Sequence, residues 1–304
     1  MAWLVILGIY AIAALGLHIL TGLCGLFSMG HAAFMAVGAY TTAILGSRYG
    51  LSPWATLPLA GLLAALAGLV FAMPALRIKG FFLVMASIAA LFVVNWVISE
   101  PLEPWTGGVR GTGVPAIEVG GKMLSDVSFW WLTLGLLVLT IIAAKNIQRT
   151  ATGRRFIAVR DNDLAAEVMG INLFRTKLLA FFIGSFFAGI AGWLWAHYFL
   201  YITPLQFDFR LSLWFVGMLI VGGLGSTTGA ISGVVLLRLS DKMVDYVSDT
   251  LSSAFPNLGA NVFPALSLMV FALIVIIFIM IEPRGLYHRF ESLKLYYRLH
   301  PFSY

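Results

Sequence analysis

The sequence has almost no cysteine and little charge. Its single cysteine, Cys24, lies in an apolar context, which excludes a disulfide framework and a cysteine metal site. Charged residues make up 11% of the 304, far too few to cover a soluble globule of this length. Catalytic signatures are missing too. The five histidines are scattered, and there is no HExxH, no GxSxG and no Walker A lysine. No catalytic residue, no metal site and no cofactor is therefore expected. Before Arg48 there is no Lys or Arg, so the basic region of a cleaved signal peptide is absent, and Trp3 to Leu20 reads as a retained helix.

What is present is apolar. Hydrophobic residues reach 61%, with a mean hydropathy of +0.96, and they fall in runs of bilayer-crossing length. Ala55 to Met73, Phe81 to Ser99, Phe129 to Ala144, Leu178 to Leu200 and Phe263 to Ile281 follow the first run. The expected fold is all-α, a polytopic integral membrane helix bundle of about eight segments, some broken or re-entrant at glycines. Net charge is +6, but the basic residues lie between apolar runs, where they set topology and meet the lipid surface of the bilayer rather than nucleic acid.

One long polar interval interrupts the runs. Lys145 to Lys177 holds seven basic residues, among them Arg160, against Asp161, Asp163 and Glu167, a bias that marks the cytoplasmic side. Asp161 or Asn162 can cap a helix start, and Gly170 is a natural stop. The helix between them has about two turns, too few to hold alone in water. Leu164, Val168 and Ile171 share one side of it, Asp163 and Glu167 the other. It must pack on its own bundle or on a partner; the alternative is a basic loop that only orients the chain.

Two stretches break the apolar pattern from within. Thr21 to Phe34 carries Gly22, Gly25, Gly30, Ser28 and His31, and irregular backbone at membrane depth needs protein or a water-filled cavity around it. Close packing through small residues and a transport pathway using Ser28 and His31 are both open. Gly222, Gly223, Gly225, Ser226 and Gly229 separate Leu211 to Val221 from Ala230 to Leu239. Each half is too short to cross alone, so a hairpin or broken helix is expected there.

The connections complete the reading. Pro74 is expected to end its helix, Asn95 to bond a neighbouring helix, and Glu100 to Ser128, acidic and turn-rich, to lie outside. Gly184, Gly189 and Gly192 should let another helix approach closely. His197, among Trp193, Trp195 and Tyr198, reads as part of an interfacial aromatic belt, and Asp241 to Asp249 as an external loop. Arg77, Lys79, the central seven and four at the C-terminal end place thirteen of the 19 basic residues on the cytoplasmic side.

Several motifs carry a resemblance. Leu164-Ala165-Ala166-Glu167-Val168-Met169-Gly170 is similar to the EAA-type loop of ABC importer permeases, with Leu164 where that motif has Glu. Gly25 to Phe34 with Gly38-Ala39-Tyr40 resembles the GQLSLGHAAF and GAY pattern of branched-chain amino-acid permeases. Ala75 to Phe82, Thr106 to Thr112, Gly222 to Gly229 and Glu282-Pro283-Arg284-Gly285-Leu286 resemble further segments of the LivH/LivM family, the last pointing to its LivM branch.

The resemblance implies a single permease domain over 1–304, with an ATPase-coupling loop at 145–177 and a cytoplasmic tail at 282–304. Arg160, Asp161, Asp163, Leu164, Ala165, Ala166, Glu167 and Gly170 would form the coupling element. It further implies a heterodimer with a LivH-like second permease, two cytoplasmic ATPases, a periplasmic amino-acid-binding protein and a bacterial inner membrane. The same machine carrying urea or a short amide, an ion-coupled secondary transporter and a membrane subunit without transport stay open as alternatives.

Overall fold

The computed structural model describes residues 1–76, 81–119, 122–254 and 259–282, with 285–287, 289, 292, 294 and 296; the side chains of 81, 119, 122, 247–254 and 259–266 are outside that description. The basic turn expected at Arg77, Lys79 and Gly80, and Pro283, Arg284 and Arg298 near the C-terminal end, fall outside the described residues. Among these residues the chain is almost wholly helical, and it packs as two compact units, Met1–Val216 and Gly217–Tyr304.

In the first unit, α1 (Ala2–Leu17) runs on through a wider π-helical turn, His18–Leu23, and every residue from Gly8 to Cys24 is buried. The chain then breaks and continues as α2 (His31–Tyr49), α3 (Pro53–Ala75) and α4 (Phe81–Ser99). Beyond a short α5 (Glu103–Thr106) come α6 (Asp126–Arg149), α7 (Ala151–Asp161), α8 (Asp163–Val168) and α9 (Leu173–Phe199).

Helix α9 is the hub, packed on α1, α2 and α3, and its small residues are the reason. A Cβ on Gly16 of α1 would stand 2.6 Å from the Gly184 carbonyl oxygen, and one on Gly38 of α2 would collide with the Gly189 backbone. Without a hydrophobic drive between helices in lipid, such close backbone approach supplies the dispersion contact that holds them.

Pro74 does not end α3, which passes through Pro58 and Pro74 to Ala75. A proline this near a helix terminus removes one late hydrogen bond only. Asn95 bonds as expected, its Nδ2 donating to the Phe207 carbonyl at 3.0 Å.

The stretch after α4 is strapped to the end of α9. Strand β1 (Thr112–Gly113) precedes a small ribbon of β2 (Glu118–Val119) and β3 (Lys122–Met123), and β1 pairs antiparallel with β4 (Tyr201–Ile202). The Tyr201 hydroxyl donates to the Arg110 carbonyl at 2.6 Å, and His197 Nδ1 donates to the Pro115 carbonyl at 3.0 Å. His197 is 4% exposed and meets the Trp193 ring edge-on, so the belt assignment is corrected. It is a buried clasp between α9 and the preceding loop.

Helix α10 (Phe209–Gly222) leads into the second unit, with α11 (Thr227–Ala254) and α12 (Gly259–Ile281). The glycine break is present between α10 and α11, where Gly223 takes φ +110. A Cβ on Gly222 would meet the Gly229 carbonyl, and one on Gly233 the Met218 carbonyl, so the two helices fold back in backbone contact. Two expectations fail here: α11 has 28 residues, and the presumed loop Asp241 to Asp249 lies on it. Arg238 and Asp241, three apart on that helix, pair at 2.7 Å, and Ser267 donates to Asp241 at 2.8 Å.

Among the described residues, six helices are long and apolar enough to cross a membrane: Ala2–Leu23, Pro53–Ala75, Phe82–Ser99, Asp126–Arg149, Leu173–Phe199 and Pro204–Gly222. The all-α membrane bundle is thus as expected; six helices qualify among the described residues, and Ser267–Ile281 is a shorter apolar helix beside them.

Candidate functional site

The break between α1 and α2 is built from residues that cannot continue a helix, and every polar group around it matters because water is scarce at such depth. Gly25 takes φ +73, the left-handed region that favours glycine. Leu26 N–H reaches back to the Leu20 carbonyl at 3.1 Å, and the Thr21 hydroxyl donates to the Leu26 carbonyl at 3.1 Å. Met29 N–H donates to the Ser87 hydroxyl at 2.9 Å, and Ala32 N–H to the Ser212 hydroxyl at 3.0 Å. Two serines from α4 and α10 therefore satisfy the freed backbone.

Ser28 and His31 sit within this break. His31 is fully buried, and its Nε2 lies 2.9 Å from the Ala13 carbonyl. A carbonyl only accepts, so Nε2 carries a proton. Phe34 and Phe215 meet the ring edge-on. Neither His31 Nδ1 nor the buried Ser28 Oγ has a hydrogen-bond partner among the described residues, an uncommon state for buried polar atoms.

The central polar interval is more structured than its composition suggests. It holds α7 as well as α8, and α9 begins at Leu173, with Asn172 accepting from Arg175 N–H at 2.9 Å. Asn162, not Asp161, caps α8 through Ala165 N–H at 3.1 Å, and Gly170 ends it at φ +83. Ala166 is buried against the chain itself, whereas Leu164 is 64%, Val168 88% and Met169 82% exposed. Among the described residues Leu164, Val168 and Met169 therefore do not pack on the bundle, while Ile171 on the same side is half-buried. Ala165, Glu167 and Gly170 are exposed as well, and Asp163 lies 3.8 Å from Lys177.

Arg160 joins the two features. One guanidinium nitrogen donates to the Gly22 carbonyl at 3.0 Å, and others reach Asp161 at 3.0 and 2.9 Å. A Cβ on Gly25 would stand 2.9 Å from Arg160 Cγ, so the arginine lies flat on the break. Between the break and the α7–α8 junction is a cavity of about 690 Å³ lined by Cys24 to Phe27, Leu76, Leu83, Val84, Val159 to Asp163 and Lys177.

In the second unit, Gly222 ends α10, Gly223 makes the turn and Gly225 faces open space. Ser226 Oγ accepts from Gly229 N–H at 3.4 Å at the start of α11. Gly285 packs backbone to backbone on Gly223. Sequence reasoning singled out both breaks but missed Ser87, Ser212 and the Arg160–Gly22 bond. The two serines are lone hydroxyls in apolar runs, a signal of polar partnering that was available. Among the described residues no group of three or more His, Cys, Asp or Glu could hold a metal.

A family described as "Branched-chain amino acid transport system / permease component" matches residues 1–280. The chain is 32% identical over 261 residues to the high-affinity branched-chain amino acid transport system permease protein LivM of Escherichia coli K12, covering 78% of this chain and 61% of that protein. The LivM protein of Salmonella typhimurium matches with the same identity and coverage. The autoinducer 2 import system permease protein LsrC of Enterobacter sp. 638 is 34% identical over 149 residues, 46% of this chain and 42% of that one. The chain spans about three fifths of the length of the LivM proteins it matches. No solved structure matches. With its long apolar helices and a family match over residues 1–280, the chain is a multi-pass protein of the bacterial inner membrane that belongs to the branched-chain amino acid transport system permease family.

Proposed function

We propose that this chain is one permease subunit of an ABC importer that carries branched-chain amino acids into the cytoplasm, driven by ATP hydrolysis on separate subunits. Its partners in this reading are a LivH-like second permease, two cytoplasmic ATPases and a periplasmic amino-acid-binding protein. Residues 145–177 form the coupling loop and 282–304 the cytoplasmic tail of a single permease domain.

The observation that carries the reading is α8. Two turns cannot hold themselves, and α8 turns Leu164, Val168 and Met169 outward, which suits a helix seated in a groove of another subunit. Glu167 stands exposed beside them, available to a basic rim. On its other side, Arg160 connects the same interval to the break at Gly22 and Gly25. Motion imposed on α8 thus has a route to the break, and Ser28 and His31 lie on that route, with Gly222, Gly223, Gly225 and Ser226 as the corresponding pathway segment of the second unit.

Uptake by the reconstituted importer with its loaded binding protein tests this. Gly170→Trp and Glu167→Arg should each leave the complex assembled, abolish uptake and remove the stimulation of ATP hydrolysis by the binding protein. Wild-type uptake and stimulation in both variants would reduce the interval to a topological anchor. A second reading concerns cargo: the partial match to LsrC, an autoinducer 2 import permease, supports a related importer for another small solute, and binding by the cognate periplasmic protein separates the two.

A further inference from the structure

A second cavity lies among α2, α3, α4 and α5, with a volume of about 240 Å³. That is below the usual span of compact small-molecule sites, roughly 300–1,000 Å³, and suits a single narrow chain. Val37, Ile44, Phe71, Val94 and Ile98 make its wall apolar. Tyr40 also lines it, 3% exposed, and its hydroxyl has no hydrogen-bond partner among the described residues. A buried phenol left unpaired is a donor without an acceptor, an uncommon state unless a bound molecule supplies one.

The surroundings name the class of ligand. Beside the cavity α3 and α4 expose Leu66, Val70, Phe92, Val93 and Trp96, on two helices long and apolar enough to cross a membrane, so hydrocarbon chains surround its rim. At the α5 end the lining includes Leu102 and Thr106. Trp105, between them in sequence, has the Arg48 guanidinium 4.7 Å from its ring centroid and Tyr49 stacked on the same ring. A cation held among aromatic rings at the end of membrane spans stands at headgroup level. Glu100 and Glu103 are exposed near that end, so Arg48 acts by direct contact with a phosphate rather than through a broad positive field. Eight residues of α2, about 12 Å of helix, separate Arg48 from Tyr40. A headgroup at the first and the top of an acyl chain at the second thus belong to one molecule.

We infer that this cavity holds one acyl chain of a glycerophospholipid, with the phosphate on Arg48 and an ester carbonyl accepting from Tyr40. The bound chain fills the space between α2 and α4, beyond the break where Met29 N–H donates to Ser87 of α4. Because it binds the folded protein, it stabilises it by mass action. The inference stands apart from the importer reading, and its test needs neither ATP nor uptake.

The test uses the full-length protein in the complex with which it purifies, stripped of lipid in detergent and titrated under native mass spectrometry. The probes are dioleoylphosphatidylglycerol, oleate, which lacks the phosphate, and glycerophosphoglycerol, which lacks the chains. One equivalent of the phospholipid should bind more tightly than any later one and raise the thermal midpoint, and neither half-ligand should match it. Arg48→Gln should weaken that first equivalent about tenfold and Tyr40→Phe about fivefold, the usual ranges for charged and neutral hydrogen bonds. Ala67→Phe, in the cavity wall, should remove it, whereas Val70→Phe, on the exposed face of α3, should leave it unchanged. The inference is overturned if no equivalent stands out in the wild type, if oleate binds equally well, or if Ala67→Phe and Arg48→Gln both keep the wild-type affinity. Equal losses in Ala67→Phe and Val70→Phe would put the lipid on the outer surface and overturn it too.

Discussion

Arg160, the last residue but one of α7, donates a hydrogen bond at 3.0 Å to the carbonyl of Gly22, 138 positions earlier in the chain. The acceptor lies in the π-helical turn that ends α1, where the wider helix and the following break leave carbonyls without their regular partners. A charged donor from the central polar interval thus satisfies backbone inside the bundle.

Removing this donor should uncouple rather than unfold. A hydrogen bond to a charged group contributes about 1.5–3 kcal/mol, so Arg160→Gln should lower the stimulation of ATP hydrolysis by loaded binding protein by about tenfold or more. Arg160→Lys keeps one donor but not the fork, and should recover part of the loss. Stimulated and basal rates of the purified complex are the measurement; equal stimulation in wild type and Arg160→Gln would leave the bond without a coupling role.

Ser28 and His31 should respond differently. Ser28 Oγ is buried without a partner among the described residues, so Ser28→Ala removes a desolvated hydroxyl at little cost in stability. An unchanged thermal midpoint with uptake altered several-fold would mark it as a pathway residue. His31→Ala removes a ring packed against Phe34 and Phe215 and should lower stability by about 2–4 kcal/mol, as large-to-small changes in a core do. If both variants keep wild-type uptake at normal expression, the break is a packing device only.

Gly16 tests how the bundle is held. Its absent side chain leaves the Gly184 carbonyl in contact with α1, and a Cβ would come within 2.6 Å of that oxygen. Gly16→Leu should therefore cost about 3 kcal/mol or more, with loss of folded protein from detergent extracts. Gly135, where a Cβ meets nothing within 4 Å, should accept the same substitution with normal yield. Size-exclusion recovery compares the two.

Topology can be read with thiol labels, because Cys24 is the one cysteine and is buried. In intact cells, a membrane-impermeant maleimide should modify Glu118→Cys and spare Val168→Cys. The reverse pattern would invert the assignment of sides.

The legible parts of this fold were those where residue type alone limits the backbone. Gly25, Gly170 and Gly223 all take positive φ, and each marks a break or stop that glycine and its neighbours announce in the sequence. The small residues of α9 likewise announced close approach, which Gly184 and Gly189 make. What could not be read depended on partners far along the chain. His197 looked interfacial because its neighbours are aromatic; its burial comes from Pro115, 82 residues away. Asp241 looked like part of a loop because it is charged, yet it lies on α11, paired with Arg238 and accepting from Ser267 of α12. At the candidate site, a cap at Asp161 or Asn162 and Gly170 as stop followed from local rules, and the structure chooses Asn162. That Ala166 turns inward while Val168 turns outward depends on how α7 and α9 hold α8.

The central claim is that the outward face of α8 is covered by an ATPase subunit. Val168 is 88% exposed and sits in the middle of that face. The direct measurement is the rate of maleimide modification of Val168→Cys in inside-out vesicles, with and without the ATPase pair, using Leu205→Cys, 74% exposed in the helical turn Pro204–Phe207, as a reference position in detergent-solubilised complex. The account predicts that assembly with the ATPases slows modification at position 168 about tenfold or more, as burial in an interface core does, and leaves position 205 unchanged. Equal modification of position 168 in the permease alone and in the assembled complex would contradict it.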